Sequence, residues 1–171
     1  SVSDSRREAT PSVDDARISG VEGRHPREAA LRLEWQAGAN HRLSVDARGS
    51  DEDRWLDARE RSGQRRYHQS LHQLERRHAA FTWDAQWPGA AAGWETQLRA
   101  YGTELAVSNV KTNGVASLRP NTLKDEVLEG QASGPLGAGQ RLTFGFEQRK
   151  EQLANAGLPG GAAEADHQAL Y

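Results

Sequence analysis

A chain of 171 residues with 22 basic and 24 acidic side chains, 36% hydrophobic residues and no cysteine has the length of one domain but little apolar material for a closed core. The missing cysteines exclude a disulfide framework, a thiolate metal site and a cysteine nucleophile, and a net charge of −2 gives no general reason to bind nucleic acid. Low hydrophobicity points towards disorder, yet the 5 Trp, 3 Tyr and 3 Phe exceed what disordered segments carry. No run reaches the roughly 18 apolar residues of a spanning helix, and the polar start shows no signal-peptide pattern. The absence of methionine suggests a processed chain or a piece of a longer one.

Residues 1–29 read as a polar loop or tail, with a short strand available at 15–22. At Leu31 the pattern changes: Leu31, Leu33 and Trp35 alternate with Arg32, Glu34 and Gln36, then Leu43, Val45 and Ala47 with Arg42, Ser44, Asp46 and Arg48. Period two means strand, and the short Gly/Asn segment between the runs makes a hairpin. The polar stretch 49–76 reads as a long connection. Its end, with Tyr67, Gln69, Leu71 and Gln73, can extend the next strand, and a charged helix over 53–77 is an alternative. Ala79, Phe81, Trp83, Ala85 and Trp87 open a second hairpin, turned by 88–93 and closed by Trp94, Thr96, Leu98 and Ala100. A second polar connection covers 104–121. The third hairpin joins 123–133, the least regular strand, to one carrying Leu142, Phe144 and Phe146 against Arg141, Thr143, Glu147 and Arg149, with a Gly-rich turn at 134–139.

The expected fold is therefore all-β, made of antiparallel up-and-down hairpins. Alternation shows only that one sheet face is wet and the other is not, which suits a soluble sheet. It also suits a transmembrane β-barrel: the apolar runs have the length of a tilted spanning strand. Trp35, Trp83, Trp87 and Trp94 sit beside the short turns, as interfacial aromatic girdles do. Short turns would alternate with long loops.

The stretches 31–54 and 94–109 resemble barrel hairpins of TonB-dependent outer-membrane receptors. The strongest likeness is 119–160, where a strand with Asp125, Glu126, Glu129 and Gly130, a Gly turn, the run Leu142-Thr143-Phe144-Gly145-Phe146-Glu147 and a charged exit follow in order. This succession is similar to the siderophore-receptor branch of that family and covers residues 30–171. The resemblance implies a large barrel in a Gram-negative outer membrane that imports ferric siderophores or similar chelates, with TonB acting through a plug domain. Six strands do not close a barrel of about 22, and residues 1–29 carry neither a plug nor a TonB box. The expectation is an internal piece, 30–171, of such a barrel, without its plug. Ala165, His167, Ala169 and Tyr171 weakly imitate a terminal strand but would more naturally start a further one. Two other readings stand beside it: a soluble β-sheet ligand-binding module, and a small structural or adhesive outer-membrane barrel.

No catalytic or metal site and no cofactor is expected. His68 and His72 are spaced to share an ion on a helix, but on a strand they stand about 13 Å apart. The glutamates at 126, 129, 147 and 151 follow no acid–base spacing, and no nucleophile with a base is recognisable. The polar strand faces carry Arg42, Arg48, Arg99, Tyr101, Arg141, Glu147 and Arg149. Of these, Arg99, Tyr101, Arg141, Glu147 and Arg149 are the candidate ligand-binding residues, able to meet an anionic chelate by charge and stacking. The competing reading is that they bond to one another. Partners expected are the chelate and outer-membrane lipid on the apolar face (Leu33, Trp35, Val45, Phe81, Trp83, Leu98, Leu142 and Phe144), with no nucleic acid.

Overall fold

The computed structural model describes residues 1–60, 66–89, 93–137 and 139–171. Among them run ten strands: β1 (Val2–Asp4), β2 (Thr10–Pro11), β3 (Ser19–Val21), β4 (Gly23–Gln36), β5 (His41–Arg59), β6 (Tyr67–Trp87), β7 (Trp94–Lys111), β8 (Leu118–Gly137), β9 (Gln140–Asn155) and β10 (Ala162–Leu170). Eight form one antiparallel sheet in the order β1-β4-β5-β6-β7-β8-β9-β10, and β2 pairs with β3. The all-β, up-and-down expectation is met. The sheet is open, with β1 and β10 at its edges.

Three expectations change. The connections expected at 49–77 and 104–121 are largely strand: β5 and β6 pair from His41 with Ala85 to Arg59 with Tyr67, and β7 continues to Lys111. What joins the hairpins at that end is 60–66, 112–117 and 156–161, of which 61–65 lie outside the described residues. The helix alternative over 53–77 gives way to the ladder, with Asp53 opposite Gln73 and Trp55 opposite Leu71. Of the short turns, 90–92 and 138 lie outside the described residues; in the remaining one, Gly38 takes φ 83°, a conformation that favours glycine.

Residues 1–29 are no loose tail. Ser1 and Ala30 bond through their backbones at 2.8 Å, Val2 faces Ala29, Arg7 and Arg24 exchange hydrogen bonds at 2.8 and 2.7 Å, and Thr10 faces Val21. The segment is one irregular hairpin whose tip, 12–18, lies at the end of the sheet away from the short turns. Its tip is pinned there: the Asp57 amide donates to Ser19 Oγ at 2.9 Å, the Tyr67 hydroxyl to Asp15 Oδ2 at 2.9 Å, and Arg17 stacks 4.4 Å above the Tyr67 ring.

Register explains the sheet's two faces, because directly opposed residues share a face. Leu33, Val45, Phe81, Ala100 and Leu128 lie in one cross-strand row. Trp35, Leu43, Trp83, Leu98, Gly130 and Phe146 form the next. All eight residues expected on the apolar face are on it. Stacked rows make a belt, traced on β6 by 79–87, a length at the short end of what a tilted spanning strand needs. At the turn end of the belt, His41 stacks on Trp83 at 6.0 Å, Trp87 stands edge-on to both, and Trp94 meets Phe144 at 6.0 Å.

Beyond the belt the polarity of the faces inverts. The belt face becomes charged, before Trp55, Leu71 and Val110 form a further apolar row at its far end: Arg27 pairs with Asp53 at 3.7 Å, Arg77 with Glu75, Lys124 with Glu104 at 3.4 Å, and Lys150 with Glu164 at 3.7 Å. The opposite face gains Leu74, Val107, Leu105, Leu123 and Leu153, brought into adjoining rows by the register. The strands from β5 to β9 are 16–21 residues long, so about half of each lies outside the belt.

Candidate binding face

The face opposite the belt carries the candidate residues. Alternation puts Arg99 and Tyr101 on one side of β7, and Arg141, Glu147 and Arg149 on the same side of β9, with β8 between them. Arg99, Glu129 and Glu147 form one row; Tyr101, Val127 and Arg149 form the next. Four of the five candidates thus gather in two adjoining rows. Arg141 does not join them: six positions along β9 from Glu147 place it about 20 Å away.

Each candidate cation already has protein partners. Arg99 stacks over Tyr101 at 4.7 Å and reaches Glu129 at 3.4 Å. Arg149 lies 3.7 Å from Asp125, 3.7 Å from Glu147 and 4.0 Å from Glu151. Arg141 donates to Ser133 Oγ at 2.7 Å and to Glu95 at 3.0 Å, and Ser133 meets Thr143 at 2.9 Å. The arrangement is a ladder of alternating charges that braces the strands across their long axis. A ligand there exchanges partners with a carboxylate rather than meeting a bare cation.

Partners that the sequence did not single out complete the face. Asp84 takes hydrogen bonds from Arg42 at 2.9 Å and from Gln97 at 2.8 Å. With Gln36, Glu95 and Ser133 these line a depression of about 540 Å³ near the short turns. The signal for them was already present in the alternation: they occupy the polar positions of strands whose apolar positions were read. Their pairing was not, since Glu95 and Arg141 stand 46 positions apart.

Farther along the same face, the side chains become buried. Glu52 is 7% exposed and is clasped by Arg24 and Arg54, the latter at 3.0 Å. Their hydrogen bonds hold its carboxyl below the usual carboxylate range, against the desolvation that pushes it up. Asn109 is 2% exposed and donates to Ser70 Oγ at 2.8 Å, and Ser70 lies 3.3 Å from His72 Nε2. Ser70 is 3% exposed, and the Asn109 bond ties it on β6 to β7. His68 and His72 lie on one face of β6 on either side of Ser70. Among the described residues no group of three His, Cys, Asp or Glu side chains is placed to hold a metal ion.

At the edge of the sheet, β10 presents His167 and Ala169 opposite Arg149 and Glu147, on this same polar face. The Tyr171 ring fills the space beside Gly145, and the two residues exchange backbone hydrogen bonds at 2.8 and 3.1 Å. The residues that imitate a terminal strand therefore point away from the belt.

No protein-family model, no curated protein and no solved structure matches this chain.

Proposed function

We propose that this chain is part of the wall of an outer-membrane β-barrel receptor of the TonB-dependent kind, serving import of ferric siderophores or similar chelates in a Gram-negative cell. The observation that carries the reading is the belt. Across β4 to β9 one face is apolar in register, aromatic at the turn end and charged beyond the other end, while the opposite face at the same level is polar and ion-paired. The apolar side chains are confined to about half of each strand. A bilayer, whose apolar slab is about 25 Å thick on a barrel, demands it.

In this reading the belt faces lipid and the short turns lie at the periplasmic side. The charged distal halves project outside and raise the connecting segments 112–117 and 156–161 towards incoming ligand. The face with Arg99, Tyr101, Glu147 and Arg149 lines the barrel interior, where the ion-pair ladder meets the plug or the anionic chelate. Energy from TonB reaches the ligand through the plug. The siderophore branch is proposed on the resemblance of 119–160.

The test is insertion of the full chain into vesicles whose lipids carry bromine at defined depths. Bromines near the interface should quench Trp35, Trp83, Trp87 and Trp94 most strongly. A chain that stays monomeric without detergent and is not quenched overturns the proposal in favour of a soluble ligand-binding sheet.

A further inference from the structure

One row of the polar face runs level from β4 to β9. Gln36, Arg42, Asp84, Gln97 and Gln131 oppose one another in turn, and the row ends at Gly145. Its first five members line the depression of about 540 Å³ near the short turns. Five interstrand steps give the row a length of about 24 Å. Because Gly145 carries no side chain, the Tyr171 ring lies against it on the same face; a Cβ there would stand 2.7 Å from the ring. Tyr171 is 61% exposed, so the row closes on an open aromatic plate.

Hydrogen-bonding capacity decides what can lie on this row. Its charges are already matched. Arg42 donates through Nε and Nη2 to Asp84 Oδ2 at 3.2 and 2.9 Å, and Gln97 donates through Nε2 to Asp84 Oδ1 at 2.8 Å. Glu95, beside the row in the same depression, holds Arg141 at 3.0 Å. Among the described residues, the positions left open differ in kind. Gln97 keeps Oε1 as an acceptor, and Gln36 keeps Oε1 after donating to the Gly38 carbonyl at 2.9 Å. Arg42 keeps Nη1 as a donor, and Gln131 keeps both ends of its amide.

A carboxylate or phosphate brings acceptors only and leaves the amide oxygens unmatched. An ammonium brings donors only and faces Arg42. A hydroxyl donates and accepts at once, so a run of hydroxyls satisfies the row wherever it lands. An extended peptide also carries both kinds of group, but it needs sockets for its side chains, and this row offers none. The plate suits a sugar ring, whose C–H face is apolar and meets the negative face of an aromatic ring.

We infer that this row is a binding track for a neutral, polyhydroxylated ligand, a linear glycan of about four units by its length. Tyr171 is the stacking platform, and Arg42, Gln97 and Gln131 read the hydroxyl groups. This is a ligand class other than the anionic chelate, and it depends on the polar face rather than on the belt meeting lipid.

The full chain, refolded in a detergent without a sugar headgroup, is applied to an array of neutral linear glucans, mannans and galactans. Polyuronates and uncharged peptides of matched length stand beside them. At least one neutral glycan should be retained and the polyuronates should not, since carboxylates already hold Arg42 and Arg141. For the glycan retained, Tyr171→Ala should weaken binding about tenfold and Gln131→Ala about threefold, whereas Tyr171→Phe, which keeps the ring, should stay within about twofold. Gln148→Ala, on the belt face, should change nothing. Far-ultraviolet circular dichroism checks that each variant keeps its strands, and Gln131→Ala carries the test if Tyr171→Ala does not. Retention of no neutral glycan, equal retention of polyuronates, or unchanged affinity in folded Tyr171→Ala overturns the inference. Retention of the peptides alone overturns it in favour of a protein partner. Tryptophan quenching of the same chain judges the barrel-wall reading separately. Glycan retention without quenching keeps the track and sinks the wall, and quenching without retention does the reverse.

Discussion

Phe146 of β9 lies over Gly130 of β8, its directly opposed partner, so closely that a Cβ on Gly130 would sit 2.4 Å from the ring. The glycine makes room for an aromatic ring that covers bare backbone, a device that pins register between neighbouring strands. Gly130→Ala should therefore displace the ring and cost about 1–3 kcal/mol, the usual range for overpacking. Gly102, with nothing nearer than 3.8 Å and no unusual φ, should accept Ala with little change. Urea midpoints of the two variants in one lipid or detergent system check this, and equal midpoints would remove the register role from Gly130.

Depth in the bilayer should be readable on the belt. Phe81 lies one row from its middle, Leu142 lies at its short-turn end, and Thr82 beside Phe81 points to the other face. Phe81→Arg should cost about 2–4 kcal/mol, Leu142→Arg at the short-turn end less, and Thr82→Arg little, because the penalty for a lipid-facing arginine falls from midplane to interface. Urea unfolding from vesicles orders the three; Thr82→Arg as the most damaging would mean that the faces are reversed.

Glu52 should make stability depend on acid. Its carboxyl titrates lower in the folded chain than in the unfolded one because Arg24 and Arg54 bond to the charged form. The stabilisation is complete above the unfolded value of about 4.3 and is lost as pH falls through the folded value. Glu52→Gln should flatten this acid limb. At neutral pH it should cost about 1–3 kcal/mol, less than a fully buried pair, since Arg24 and Arg54 stay partly exposed. Unfolding curves between pH 3 and 7 check it; an unchanged acid limb counts against the clasp.

The amino-terminal hairpin should loosen on its own. Tyr67→Phe removes the hydrogen bond to Asp15, a carboxyl that Arg17 holds well below the ordinary range. The loss should be about 1 kcal/mol and local to the tip. Amide exchange at Asp57, whose N–H is held by Ser19, should quicken while the belt amides stay protected. Faster exchange throughout β5 would show instead that the hairpin is part of the cooperative core.

The belt was legible because Leu33, Trp35, Val45, Phe81 and Leu98 keep one parity and their neighbours keep the other. The distal halves were not, since there the parity inverts. Leu74, Leu105, Leu123 and Leu153 fall on the opposite face, spaced among charges, and the stretches look like loop. The hairpin at 1–30 was hidden for another reason. Arg7 and Arg24 join through backbone groups, which leave no side-chain signature. The candidate face stands between these cases. Alternation put Arg99 and Tyr101 together, yet nothing near Arg141 in sequence announced Glu95.

Sequence alone determined that the chain makes strands, which side chains share a face within each hairpin, and that one face is apolar beside the short turns. These follow from the period-two geometry of a strand, which is local. Tertiary structure decided how far the strands run, how the belt ends, and which carboxylate meets each arginine. Those depend on register between distant segments, where each ladder hydrogen bond forms only after the chain has returned, and no short stretch of sequence encodes that.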